Sequence, residues 1–174
     1  MPSAEYYQDA CETAKKMADQ GMPVSNILSY LTNIAESGSV AGSVASILLL
    51  DKGGRLRNGA SPKLPPDYLA AIDGICPHPD LGTCASAAAT GSIVITPDFR
   101  ADDKWAELKH LPLALGFQGA WSMPIITNDS RVIGTFGTYF VEKRKPTKDE
   151  INGVKILASA AAEIITGVEV RIAG

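Results

Sequence analysis

From Ile151 to Val168, apolar residues recur at steps of three and four: Ile151, Val154, Leu157, Ala158, Ala161, Ile164, Ile165 and Val168. That spacing lines one face of an α-helix. Its start is marked by Thr147-Lys148-Asp149-Glu150. Thr147 can accept a hydrogen bond from the backbone N–H of Glu150, and the Glu150 carboxylate can reach back to the N–H of Thr147. A helix of about five turns with one apolar face has little stability alone in water. The remainder of the chain must therefore supply a matching apolar surface.

Two further helices precede it. Tyr7, Ala10, Cys11, Ala14, Met17 and Ala18 make a modest face within Ala4 to Gln20, and Gly21 ends that segment. Pro23 suits the first turn of a second helix, whose stripe is Val24, Ile27, Leu28, Leu31 and Ile34 and whose end is Gly38. The period then changes. Val44 to Leu50 is a short apolar run, followed by the turn Asp51-Lys52-Gly53-Gly54 and by Arg55-Leu56-Arg57, which predicts a strand hairpin. A short helix is expected around Tyr68, Leu69 and Ile72, and another in the Ala-rich stretch Thr83 to Thr90. Ser92 to Thr96 reads as a strand stopped by Pro97. Phe99 to Leu115 reads as one or two short helices interrupted by Pro112, with Asp102 or Asp103 capping the one that bears Trp105. A second hairpin joins Ala120–Thr127 to Arg131–Glu142 through Asn128-Asp129-Ser130. A mostly antiparallel sheet with segregated helices is an α+β layout. Its centre is expected to include Ile93–Thr96, Ala120–Thr127 and Arg131–Val141.

Composition narrows the function classes. A net charge of -3 with mixed signs gives no electrostatic reason to bind nucleic acid or an anionic membrane. Met1 to Gln20 lacks the basic start and apolar middle of a secretory signal, so a cytoplasmic protein is expected. Cys11, Cys76 and Cys84 are an odd, low cysteine count and imply reduced thiols. No nucleophile-elbow serine motif and no phosphate-binding glycine loop is present.

Several segments, taken in order, resemble a GAF domain of the bacterial signalling-sensor type. They are Ala45-Ser46-Ile47-Leu48-Leu49-Leu50-Asp51 with Gly53-Gly54-Arg55-Leu56, then Gly59-Ala60-Ser61-Pro62 with Leu64-Pro65 and Tyr68-Leu69. Gly82-Thr83-Cys84 with Ala87-Ala88 follows, and then Asp98, Trp105, Ala120-Trp121-Ser122-Met123-Pro124-Ile125 and Gly134-Thr135-Phe136. The resemblance covers Pro23 to Thr166. It implies a PAS/GAF-type central antiparallel sheet, with the N- and C-terminal helices on one face and pocket-forming loops and short helices on the other. It divides the chain into an N-terminal helix (1–22), a GAF core (23–166) and the end of a signalling helix (167–174). It also implies a non-enzymatic sensor that binds a small molecule or a redox cue and passes the signal through its terminal helices to a partner or an attached output domain. A homodimer through those helices is expected, because apolar positions around Ile164 to Val168, and on to Ile172, would be surplus to one core. Gly167 is expected to bend or fray the helix.

The pocket candidates are Cys84, Asp98, Phe99, Trp105, Phe117, Trp121, Ser122 and Thr135: aromatic walls with a few polar groups. Cys84 is either a packing residue or a thiol made reactive by the start of the Ala-rich helix. The cofactor stays open. Bilin-carrying members attach the pigment at a cysteine often followed by histidine, whereas Cys76 precedes Pro77 and Cys84 precedes Ala85, so a bilin is not expected. Cys76, His78 and Cys84 could contribute to a metal site, although their spacing is not a standard zinc spacing. His78 or His110 could each serve as a haem axial residue. Two alternatives remain. One is a ligand-free dimerisation module. The other is an enzyme like the free methionine sulfoxide reductases, which share the fold. The resemblance places their catalytic thiol just before the strand equivalent to Ala120–Thr127, and residues 111–119 contain no cysteine.

Overall fold

A computed structural model describes residues 2–173, with side chains to Glu169. The helices α1 (Ala4–Asp19) and α2 (Val24–Ser37) lead into the strands β1 (Val44–Leu50) and β2 (Leu56–Ala60). Two short helices, α3 (Pro66–Ile72) and α4 (Cys84–Thr90), precede β3 (Val94–Thr96), a 3₁₀ turn at Asp103–Trp105 and α5 (His110–Ala114). The strands β4 (Gly119–Ile126) and β5 (Val132–Phe140) and the long helix α6 (Lys148–Ala173) complete the chain. The sheet order is β2-β1-β5-β4-β3, with every neighbouring pair antiparallel. The α+β fold expected from the sequence is therefore present. Its centre differs. β5 is the middle strand, flanked by β1 and β4, while β3 is a short edge strand and Ile93 is exposed. Pro97 ends β3 after only three paired residues, which suits an edge and not a centre.

Alternation along the strands divides the core into two layers. Ala45, Ile47, Trp121, Met123, Ile125, Phe136 and Phe140 face α1, α2 and α6, where Ile27, Leu28, Leu31, Val154, Leu157 and Ala161 meet them. Leu48, Ala120 and Tyr139 face the other side, beneath Leu56, Tyr68, Ile72, Phe99, Trp105 and Phe117.

The first turn of α6 forms the expected reciprocal bonds. Glu150 N donates to Thr147 Oγ1 at 3.1 Å, and Thr147 N donates to Glu150 Oε1 at 3.3 Å. The same carboxylate holds two more elements. Arg144 donates to both of its oxygens at 3.0 and 2.6 Å, and Ser39 Oγ, just beyond α2, donates to Oε2 at 2.7 Å. Burial alone would push Glu150 up. The Arg144 guanidinium, the Ser39 hydroxyl and the Thr147 N–H outweigh burial and hold its carboxyl below the usual range.

Two expectations about α6 fail. Ile164 and Ile165 are buried within the chain, at 4% and 9% exposure. They belong to the core because α1 lies along α6, tied by Cys11 Sγ on the Ile156 carbonyl and by Lys15 to Glu163 at 3.1 Å. The apolar surplus that would drive a helix-mediated homodimer is therefore absent up to Ile165. The helix also continues through Gly167 without a break, since a propensity deficit of about 1 kcal/mol at one residue does not by itself stop a helix. The expectation for Ile172 lies outside the residues whose side chains are described. By length and composition the span Lys148–Glu169 could cross a membrane, but half of it is buried against its own domain, as for a core helix.

Candidate functional site

The second layer contains a small, partly open cavity of about 30 Å³ between the sheet, α3, α4 and the loop carrying Trp105. Its apolar wall is Leu48, Leu56, Ile72, Ile75, Leu81, Leu108 and Leu111, and its polar groups come from Tyr68, Thr83, Cys84, Trp105 and Tyr139. Each wall has a local cause. The cap of α3 is Pro65, with Pro66 in its first turn, and these fix the approach of the helix so that Tyr68 and Ile72, four apart, turn inward. Gly82 has a φ of +61°, which brings the chain into α4 against Trp105 and Leu108, where an L side chain would be strained. Asp102 caps the 3₁₀ turn through the Lys104 N–H at 3.0 Å and also accepts from Thr96 Oγ1 at 2.6 Å. That anchor sets Trp105 over the cavity.

Tyr68 donates to the Tyr139 hydroxyl at 2.7 Å, with the rings edge to face. Burial pushes both phenols far above the usual tyrosine range, so both remain protonated. Beside them, Cys84 Sγ lies 3.0 Å from Ser122 Oγ, which donates to Thr83 Oγ1 at 3.0 Å. The space for that thiol exists because β5 carries glycine opposite it. A Cβ on Gly137 would lie 3.1 Å from Cys84 Sγ and 3.2 Å from Ser122 Oγ. Burial raises the Cys84 pKa, and the hydroxyls of Ser122, Thr135 and Thr83 offset this only in part. Thr135 Oγ1 has no well-formed hydrogen bond of its own among the described residues. Desolvation thus shifts Cys84 toward the protonated thiol, opposite in sign to the effect of the start of α4.

The other candidates scatter. Cys84 and Trp105 line the cavity, and Ser122 lies directly behind the thiol. Phe99 packs against Trp105 at 4.4 Å between ring centroids, and Phe117 against Tyr139 at 5.2 Å, so both support the wall from behind. Asp98 points away, into an ion pair with Lys143 at 3.2 Å and a turn bond from Arg100 N. Trp121 is on the opposite face, among the terminal helices. Cys76, His78 and His110 are exposed, and His78 Nδ1 accepts from Asp80 N at 3.0 Å. Among the described residues no three His, Cys, Asp or Glu side chains converge on one point, so Cys76, His78 and Cys84 are not brought together. Tyr68 and Tyr139 were missed as site residues. Tyr139 was within reach of pattern reasoning, since Thr135, Gly137 and Tyr139 must share one face of a strand. By the same rule Trp121 and Ser122, adjacent on β4, cannot both face one pocket.

The GAF domain family profile matches residues 22–166. This chain belongs to the GAF domain family. It is 32% identical over 150 residues to the methyl sulfide methyltransferase-associated sensor of Methanosarcina acetivorans, covering 86% of this chain but 15% of that protein. The chain is therefore similar to one part of a much longer sensor. Among solved structures, this GAF domain superposes on a domain of a two-component sensor histidine kinase protein from Sinorhizobium meliloti 1021. The TM-score is 0.72 at 21% identity, over 87% of this chain and 96% of that one. It also superposes on reduced fRMsr of Staphylococcus aureus, with a TM-score of 0.68 at 13% identity over 91% and 94% of the two chains. At such identities these two matches speak for the fold alone.

Proposed function

We propose that this GAF domain is a non-enzymatic sensory module whose ligand enters the cavity bounded by Leu48, Tyr68, Cys84, Trp105 and Tyr139. The carrying observation is that cavity: half-open and apolar, with a few convergent polar groups, which is the lining chemistry of a small-molecule site, at a volume that a ligand must widen. A catalytic reading has less support. Thiol chemistry needs a thiolate, whereas desolvation raises the Cys84 pKa and its hydrogen-bond partner is a hydroxyl, with no base beside it among the described residues. Similarity to a larger sensor favours a role in signalling, with an attached output domain or a partner. The route outward follows the pleat. Ser122 and Tyr139 on the cavity face alternate with Trp121, Thr138 and Phe140 on the helix face, so displacement of β4 and β5 reaches α1, α2 and α6.

Native mass spectrometry of the protein purified from its source organism tests the reading. The wild type is expected to carry a non-covalent small molecule. Leu48→Phe, which fills the cavity, is expected to lose it while keeping its far-UV dichroism. A bare wild-type mass together with turnover of methionine sulfoxide would overturn the proposal in favour of an enzyme.

A further inference from the structure

We infer that the ligand of this cavity is a small, neutral, largely apolar molecule carrying a hydrogen-bond acceptor such as a carbonyl; the inference rests on the cavity being the ligand site. Two sets of groups carry it. The first is what the wall lacks: among the described residues no Asp, Glu, Lys, Arg or His lines the cavity. A carboxylate or phosphate placed there would be buried without a counter-charge, which strongly disfavours its binding. The second is a surplus of donors. The indole Nε1–H of Trp105 is buried, with the residue at 4% exposure, and has no acceptor among the described residues. In the tyrosine pair, Tyr68 spends its proton on Tyr139, whose own O–H then has no acceptor among the described residues. A buried donor left unpaired is costly, and in a native core such a group calls for an explanation. A ligand that accepts from Trp105 or Tyr139 removes that cost.

Size follows from the volume. A cavity of about 30 Å³ holds a water or two, so any organic ligand must displace part of the wall. Leu81, Leu108 and Leu111 sit on the loops and short helices that cover the sheet, where local opening is cheaper than in the strands. Such a lid admits a ligand of a few heavy atoms with the smallest disturbance. Whatever its source, the shared chemistry is a compact apolar body with one acceptor.

Three probes built on one five-membered ring separate the possibilities: cyclopentanone, its hydrocarbon isostere methylenecyclopentane, and the larger, charged cyclopentanecarboxylate. The readout is the indole N–H signal of Trp105 in ¹H–¹⁵N spectra of the whole chain, assigned with Trp121→Phe. Cyclopentanone is expected to move that signal downfield in a saturable way and to bind about fivefold to tenfold more tightly than methylenecyclopentane, the value of one buried hydrogen bond. The carboxylate is expected to leave the signal in place. Trp105→Phe and Tyr139→Phe should each erode the preference for the ketone while hydrocarbon binding persists, read by ligand-observed NMR. Equal or tighter binding of the carboxylate or of the hydrocarbon overturns the chemical class and leaves the cavity as a site. No saturable binding of any probe overturns the cavity itself, and the class with it.

Discussion

Glu150 caps α6, pairs bidentately with Arg144 and accepts from Ser39 with a side chain almost wholly buried. Its folded pKa lies below the ordinary value of 4.5, so its stabilisation is complete above that pH and is lost as pH falls through the folded value. Glu150→Ala is expected to cost about 2–4 kcal/mol at pH 7, less than a fully buried pair because Arg144 can turn toward water. The difference from wild type should shrink in urea titrations carried to pH 3. The cap was legible in the sequence because it uses local spacing; Arg144 and Ser39 were not, since only the fold brings them there. At the cysteines, the raised pKa of the partly buried Cys84 thiol and the exposure of Cys76 predict an order of modification. Iodoacetamide at neutral pH should label Cys76 at least about tenfold faster than Cys84, as read by peptide mass mapping. Equal rates would show that Cys84 is neither shielded nor held protonated.

Most elements were visible in the sequence because their periods are clean, from the stripe of α2 to the hairpin around Asn128. The interior of α6 was misjudged for a physical reason. Spacing shows that Ile164 and Ile165 are apolar, but not that α1 lies along them. Ile165→Asp should therefore unfold the domain, at about 3–5 kcal/mol, and not release a dimer. Thermal melts with sedimentation velocity separate these outcomes; a folded, dissociated variant would restore the dimer reading. The ring of Tyr7 from α1 packs directly over Gly153 of α6, where a Cβ would collide with it. Gly153→Ala is expected to destabilise by about 1–3 kcal/mol through overpacking. At roughly 2–4 °C per kcal/mol for a domain of this size, calorimetry resolves that change. In the site, the strand face was the missed signal: alternation assigns Tyr139 to the cavity and Trp121 to the helices.

Across the whole molecule the sheet separates a helix layer from a cavity layer, and β4 and β5 belong to both. Sequence patterns gave access to this architecture because two hairpins and three amphipathic helices leave few ways to stack. They gave no access to the shape of the cavity, which depends on how Tyr68, Gly82 and Trp105 approach one another from distant segments. The central claim is that a molecule in the cavity alters the terminal helices through the sheet. It is tested most directly by hydrogen–deuterium exchange on protein purified from its source, before and after the bound molecule is stripped by unfolding, dialysis and refolding. Faster exchange is predicted in residues 81–115 of the stripped protein, with a smaller increase along α6. Identical exchange in the two samples would contradict the claim.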